Sequence, residues 1–316
     1  MPTLGFRLFA LATALAAWAL VIVGGLVRVS ESGLGCPDWP LCHGRVIPAD
    51  RTATVIEYAH RATATVVTVL VVATLIWAVK AFRGRRDIVV PALVAAIFVP
   101  FQAVLGAVVV WLELPGWIVA FHFVIGLLFL AATVVTAARA WGRPARATRA
   151  FLFLAWTGVG AALALVALGA AVVAAGEDDA CGRDWPACNG SFAGDGSLAG
   201  LQVAHRSLAY AVAALAVVLA VLAVRGAGPR AAGVLPLALV CVQVGFGIGV
   251  VLTDEHTFAH HSLEVLHVAG AGAVWAAFVA VASFAARADL GGSPVSRAAV
   301  GTQRRRGPER QAQAEG

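Results

Sequence analysis

Long apolar stretches alternate with short polar ones eight times along this chain, at about residues 6–28, 52–79, 88–111, 116–138, 150–175, 198–224, 231–253 and 257–286. Each reaches the roughly 20 residues that a helix rising 1.5 Å per residue needs to cross a hydrocarbon core of about 30 Å. The runs are apolar all round, so no polar stripe marks which face of each helix is buried. The pattern predicts an all-α membrane protein with eight transmembrane helices. The first run lacks a small-residue cleavage site and is followed by further spans, so it reads as a retained helix and not as a signal peptide.

Composition supports the same class. Of 316 residues, 60% are hydrophobic, 13% are charged and one is Met, which is more apolar surface than a soluble domain hides. The net charge of +6 sits in particular loops, and this sets a predicted orientation, because short cytoplasmic loops collect Lys and Arg. Lys80, Arg83, Arg85 and Arg86 lie between the second and third runs; Arg139, Arg143, Arg146 and Arg149 between the fourth and fifth; Arg225 and Arg230 between the sixth and seventh. The alternate loops carry Glu113, then Glu177, Asp178, Asp179, Asp184 and Asp195, then Asp254 and Glu255. Both termini are therefore expected on the cytoplasmic side of an inner (cell) membrane. These loops, with Arg304, Arg305 and Arg306 in the tail, account for the basic balance without a nucleic-acid partner. The tail after Ser293 has the composition of a disordered segment.

Four of the five cysteines fall in the two long outer loops, as Cys36 with Cys42 and Cys181 with Cys188. That compartment is oxidising, so each pair is able to form a disulfide. Cys241, inside the seventh run, reads as a packing residue.

An internal repeat reorganises the reading. Cys36-Pro-Asp-Trp-Pro-Leu-Cys42 corresponds to Cys181-Gly-Arg-Asp-Trp-Pro-Ala-Cys188, with Asp-Trp-Pro-x-Cys shared at an offset of 146. Glu57-Tyr-Ala-His60-Arg61 matches Gln202-Val-Ala-His205-Arg206, Gln102-x3-Gly106 matches Gln243-x3-Gly247, and His122 matches His267. The chain is thus two tandem four-helix units of the same orientation, about 1–145 and 146–290, followed by a basic tail, 291–316.

His60, His122, His205 and His267 all lie roughly 9 to 15 Å below the outer ends of their predicted helices. An imidazole at that depth needs a partner. Paired imidazoles on facing helices suit axial ligation of haem iron; an interhelical hydrogen bond is the simpler alternative for any one of them. Zinc fits less well, with two His and no Cys at that level in each half. Arg61 and Arg206 are placed to meet haem propionates, or to snorkel. Glu57 breaks the repeat, standing where the second half has Gln202. Three residues before His60, it shares that helix face, and a carboxylate exchanges protons where an amide does not. Chemistry is therefore expected in the first half and electron transfer in the second.

Weaker candidates remain. His256, His260 and His261 read as solvated interface residues, with a quinone or proton-transfer role as the sharper option. His43 reads as a surface residue. Gln102 and Gln243 read as helix-packing polar groups, and Trp39 and Trp185 as loop anchors or haem caps.

With Gly35-Cys36-Pro-Asp-Trp-Pro-Leu-Cys42-His43-Gly44, Glu57-x-x-His60-Arg61, His122, the second Cys pair, His205-Arg206 and His267 in order, the chain resembles haem A synthase over about residues 6–286. The resemblance implies eight helices in pseudo-twofold halves, and oxidation of the C8 methyl of haem O to a formyl group by successive hydroxylations, with oxygen from water. It implies haem O as substrate in the first half at His60 and His122, with Glu57 important for activity. The second half is then implied to hold haem b between His205 and His267. Implied partners are haem O synthase and cytochrome oxidase assembly factors; the oxidation also needs an electron acceptor, a quinone or another, which the sequence does not name. The cysteine pairs are then loop closures, with a redox role as the alternative. A di-haem electron carrier of cytochrome b type and a non-catalytic haem transporter are the rival readings. The first makes the halves equivalent; neither explains Glu57 opposite Gln202.

Overall fold

The computed structural model describes residues 2–48, 51–142, 145–176, 180–188, 190–191 and 199–287. Eight helices form: α1 (Leu4–Val29), α2 (Thr52–Ala81), α3 (Arg86–Trp111), α4 (Gly116–Trp141), α5 (Arg149–Ala174), α6 (Ala199–Val224), α7 (Arg230–Leu252) and α8 (Phe258–Phe284). All eight are long and apolar enough to cross a membrane. Glu177, Asp178, Asp179, Asp195, Arg143 and the tail with Arg304, Arg305 and Arg306 lie outside the described residues.

Local chemistry fixes several helix ends. Thr3, Thr148 and Thr257 cap α1, α5 and α8, each side chain accepting a main-chain N–H of the first turn and so satisfying a donor that has no intrahelical partner. The eighth run was expected to stay helical to 286. Instead the chain becomes extended at Ala285, and β2 (Ala285–Arg287) pairs in parallel with β1 (Ala145–Ala147). A three-residue pairing of two helix extensions carries no periodic signal of its own, so this strap is invisible in sequence.

Helix α1 packs on α2 and α4, and α3 on α2 and α4, so the first four helices close into a ring. In the same way α5 packs on α6 and α8, and α7 on α6 and α8. The rings meet through α1, α4, α5 and α8. Two indoles lock this seam: Trp18 on α1 donates to the Ala269 carbonyl on α8, and Trp275 on α8 donates to Leu127 on α4, both at 2.9 Å. Buried Leu127, Phe151, Leu219, Trp275 and Phe278 form the centre of the shared core.

The cores of the two rings are not filled alike. Thr13, Thr74, Thr133 and Thr136, all buried, line a cavity of about 10 Å³ in the first ring, and the Thr13 and Thr74 hydroxyls are 3.0 Å apart. Advancing 145 residues gives Gly158, Leu219, Phe278 and Val281. There the Phe278 ring occupies the space that a side chain at Gly158 would need.

Candidate functional site

Each long loop is closed by a disulfide, Cys36–Cys42 and Cys181–Cys188, and each is built by the same contacts. Trp39-Pro40 and Trp185-Pro186 are both cis. Asp38 accepts the main-chain N–H groups of His43 and Gly44 at 2.6 and 2.8 Å; Asp184 accepts that of Gly190 at 3.0 Å. The Gly44 and His43 N–H groups hold the Asp38 carboxyl below its ordinary range, since they stabilise its charged form. Gly35 is required where the first loop meets α2: its Cα lies so close to the Ala53 carbonyl that a Cβ would collide with it. The Gly35 carbonyl in turn accepts the Thr54 hydroxyl at 2.9 Å.

Arg61 and Arg206 staple these loops to their helices. Arg61 donates to the carbonyls of Cys36, Asp38 and Leu41 at 2.8, 2.7 and 2.7 Å and ion-pairs with Glu57. Arg206 donates to Asp184 at 2.7 Å, to Ala187, and to Oε1 of Gln202 at 3.2 Å. Glu57 is 4% exposed; its second oxygen accepts the Cys36 main-chain N–H at 2.7 Å. The Glu57 carboxylate is therefore turned towards the loop, a helical turn from His60.

Below the loops the imidazoles come together in pairs. His60 and His122 are close enough to interact electrostatically, as are His205 and His267. Each ring lies against a glycine on the neighbouring helix. A Cβ at Gly24 or Gly106 would stand 3.2 or 3.4 Å from Cε1 of His60 or His122, and one at Gly169 or Gly247 would stand 2.9 or 3.0 Å from Cε1 of His205 or His267. The glycines make room for flat rings lying close to the neighbouring backbone.

The ring nitrogens distinguish the halves. Nδ1 of His60 and of His122 is buried with no hydrogen-bond partner among the described residues. In the second half, Nδ1 of His205 lies 3.2 Å from the Leu165 carbonyl, and Nδ1 of His267 lies 3.1 Å from the Gln243 amide. Polar support of this kind orients an imidazole for a metal. Among the described residues no group of three or more His, Cys, Asp or Glu side chains converges as a metal site.

A family model described as cytochrome oxidase assembly protein, COX15-CtaA, matches residues 7–279, from the first turn of α1 into the last turns of α8. The chain belongs to this family.

Curated relatives agree. The heme A synthase of Shouchella clausii is 31% identical over 280 residues, covering 83% of this chain and 91% of its own length. That of Halalkalibacterium halodurans is 32% identical over 197 residues, covering 59% and 65%. For the heme A synthase of Exiguobacterium sibiricum the match is 41% over 119 residues, so the chain spans about two fifths of that relative (40%).

Against this family background the other candidates fall into place. Gln102 donates to the His122 carbonyl at 3.1 Å and Gln243 to that of His267 at 2.9 Å, so both join helices. Trp39 and Trp185 are partly exposed, and Trp39 meets Trp111 edge-on with centroids 6.1 Å apart. His43 is exposed, with Nε2 2.9 Å from the Gly35 carbonyl. His256 and His261 are open, with side chains 87% and 52% exposed, but His260 is only 14% exposed, against the expectation of a solvated residue. Its ring is folded onto the Thr253 hydroxyl at 3.2 Å. Cys241, expected to pack inside, is exposed on α7, because the rotation of an all-apolar helix cannot be read from its pattern. Two groups were missed. Gly24 and Gly169 were legible as another pair at the 145 offset, and Glu264 as a carboxylate three residues before His267 inside a predicted helix.

Proposed function

We propose that this membrane protein is a haem A synthase, which takes haem O as substrate and oxidises its C8 methyl group to a formyl group. The observation that carries the reading is the duplicated, glycine-backed imidazole pair, in which the arginine of the first copy holds a carboxylate, Glu57, where that of the second holds the amide of Gln202. In this reading the first half binds haem O between His60 and His122. Their unpaired Nδ1 atoms suit a site that must take up and release its haem. The second half holds haem b between His205 and His267, whose Nδ1 atoms already have partners. Bound there, haem b would supply one-electron redox capacity.

With oxygen from water, conversion of methyl to formyl consumes one water and releases four protons and four electrons. Glu57 is the proton acceptor of the first half in this proposal, held by Arg61 and by the Cys36 N–H. Gln202 cannot serve in that way. Arg61 and Arg206 belong to the haem sites as positioning residues, since they fix the disulfide-closed loops above each imidazole pair. Haem O synthase upstream and cytochrome oxidase assembly factors downstream are the partners this activity implies. In this reading the basic loops face the cytoplasm, with both termini on that side of an inner membrane.

The test is expression in a host that makes haem O but no haem A, followed by extraction and chromatography of the haems. Haem A or its hydroxylated precursor is expected. Their absence from folded protein would overturn the enzyme, leaving the di-haem carrier if two unmodified haems remain, or the transporter if none is tightly bound.

A further inference from the structure

On the loop side of the second half, α8 carries a protonatable cluster that the first half lacks. Glu264 lies between two imidazoles, with one oxygen 3.2 Å from Nδ1 of His261 and the other 3.8 Å from Nε2 of His260. The His260 ring leans on Thr253 through its other nitrogen, and the two rings meet edge to face at 5.9 Å. Moving back 145 residues finds Pro115, Gly116 and Val119, none of which can carry a proton.

Placement gives the cluster its direction. Glu264 is three residues before His267 and so shares its helix face. The cluster also reaches the surface. From His260 through Glu264 to His261, side-chain exposure rises from 14% to 31% to 52%. Leu252 at the end of α7 and Phe258 at the start of α8, close to the cluster along the chain, are apolar and exposed. A carboxylate with two imidazoles in the first turns of a helix long and apolar enough to cross a membrane carries a desolvation cost, and such groups mark sites of ion or substrate handling.

We propose that His260, His261 and Glu264 form a binding site for a lipid-soluble quinone, which takes up the electrons and protons of the reaction there. The inference rests on the reading of the second half as the haem b half. Each quinone accepts two electrons, delivered one at a time through that half, and two protons, becoming a quinol; two quinones therefore balance one formyl group. Imidazole N–H groups donate to the quinone oxygens and pass on their protons. Glu264 holds both rings in place, and the more open His261 recovers protons from the aqueous side. Exposed Leu252 and Phe258 offer apolar contact to a quinone ring and tail.

The holoprotein in lipid nanodiscs, with its b-type haem chemically reduced without air, is mixed with decylubiquinone or, separately, with ferricyanide. Decylubiquinone should reoxidise the wild type. Loss of hydrogen bonds in Glu264→Gln and His261→Gln should slow that reaction about tenfold while leaving ferricyanide oxidation unchanged. Equal quinone rates in wild type and variants, or oxidation of the wild type by ferricyanide alone, would overturn the site. His261 is half exposed, so its variant keeps the test valid if Glu264→Gln folds poorly. Absence of any b-type spectrum from the folded wild type would instead overturn the haem b reading on which the inference stands.

Discussion

The main-chain N–H of Cys36 donates to the Glu57 carboxylate at 2.7 Å, so the residue one helical turn before His60 also anchors the first disulfide loop. Arg61 completes the arrangement by binding the other carboxylate oxygen together with three loop carbonyls. Loop closure and the charge beside the first imidazole pair are thereby coupled. In the second half the same staple ends on a neutral amide.

That difference predicts unequal costs for one substitution. Arg61→Ala leaves a buried carboxylate without its cation, a loss of about 3–5 kcal/mol. Arg206→Ala leaves a neutral amide and carbonyls, a loss of roughly 1–3 kcal/mol. Unfolding of the two variants in the same detergent compares them; equal destabilisation would show that the Glu57 charge adds nothing to the staple.

Glu57→Gln makes the first half resemble the second at this position. The amide oxygen still accepts from Cys36 or Arg61, so the fold and the b-type spectrum should persist while conversion of haem O stops. Haem extraction from cells expressing the variant measures this directly. Full conversion would refute the proton-acceptor role.

Room beside the imidazoles is set by glycine. A Cβ at Gly169 would stand 2.9 Å from the His205 ring, so Gly169→Val should displace it and abolish the b-type absorption at unchanged protein level. Gly24→Val should leave that absorption and block conversion, since Gly24 backs His60 in the other half. A b-type spectrum lost on Gly24→Val and kept on Gly169→Val would reverse the assignment of the halves.

The cores should also respond differently. Phe278→Ala empties a site that is 0% exposed and should cost about 3–5 kcal/mol. Thr133→Val should cost roughly 1 kcal/mol, the net worth of one hydrogen bond, because the Thr133 hydroxyl bonds its own helix at Leu130. Thermal unfolding in detergent distinguishes the two.

The Asp38 carboxyl, lowered by the N–H groups of Gly44 and His43, predicts the pH response of the first loop. A depressed folded value means that its contribution is present above the ordinary carboxylate value of 3.8 and is lost as pH falls through the lower folded one. Reduction of the Cys36–Cys42 disulfide by a phosphine should be faster in Asp38→Asn than in wild type at neutral pH. The two should converge only in acid below about 3.8. Equal rates at neutral pH would show that the Asp38 turn does not guard the loop.

Much of this was legible along the chain. Eight spans, two cysteine pairs, four imidazoles at one depth and the exchange of Glu57 for Gln202 are local or periodic features, and each follows from helix rise, bilayer thickness and repetition at one offset. The repeat even contained Gly24 and Gly169, although composition alone gave glycine no reason to be singled out. The contacts of Arg61 and Arg206 were not legible, because a guanidinium two to three turns into a helix can reach a loop, a cofactor or water, and only the folded loop brings three carbonyls within reach of Arg61 and two within reach of Arg206.

What the sequence alone determined is the number, length and order of the helices and the depth of each polar group along them, since rise per residue converts chain position into height in a bilayer. Tertiary structure decided how each helix is turned about its axis: Cys241 outward, His260 inward, Glu264 between two imidazoles, Phe278 into the gap left by Gly158. The physical reason is that helices apolar on every face have no polar side to turn away from the core, so their rotation is settled by packing against one another.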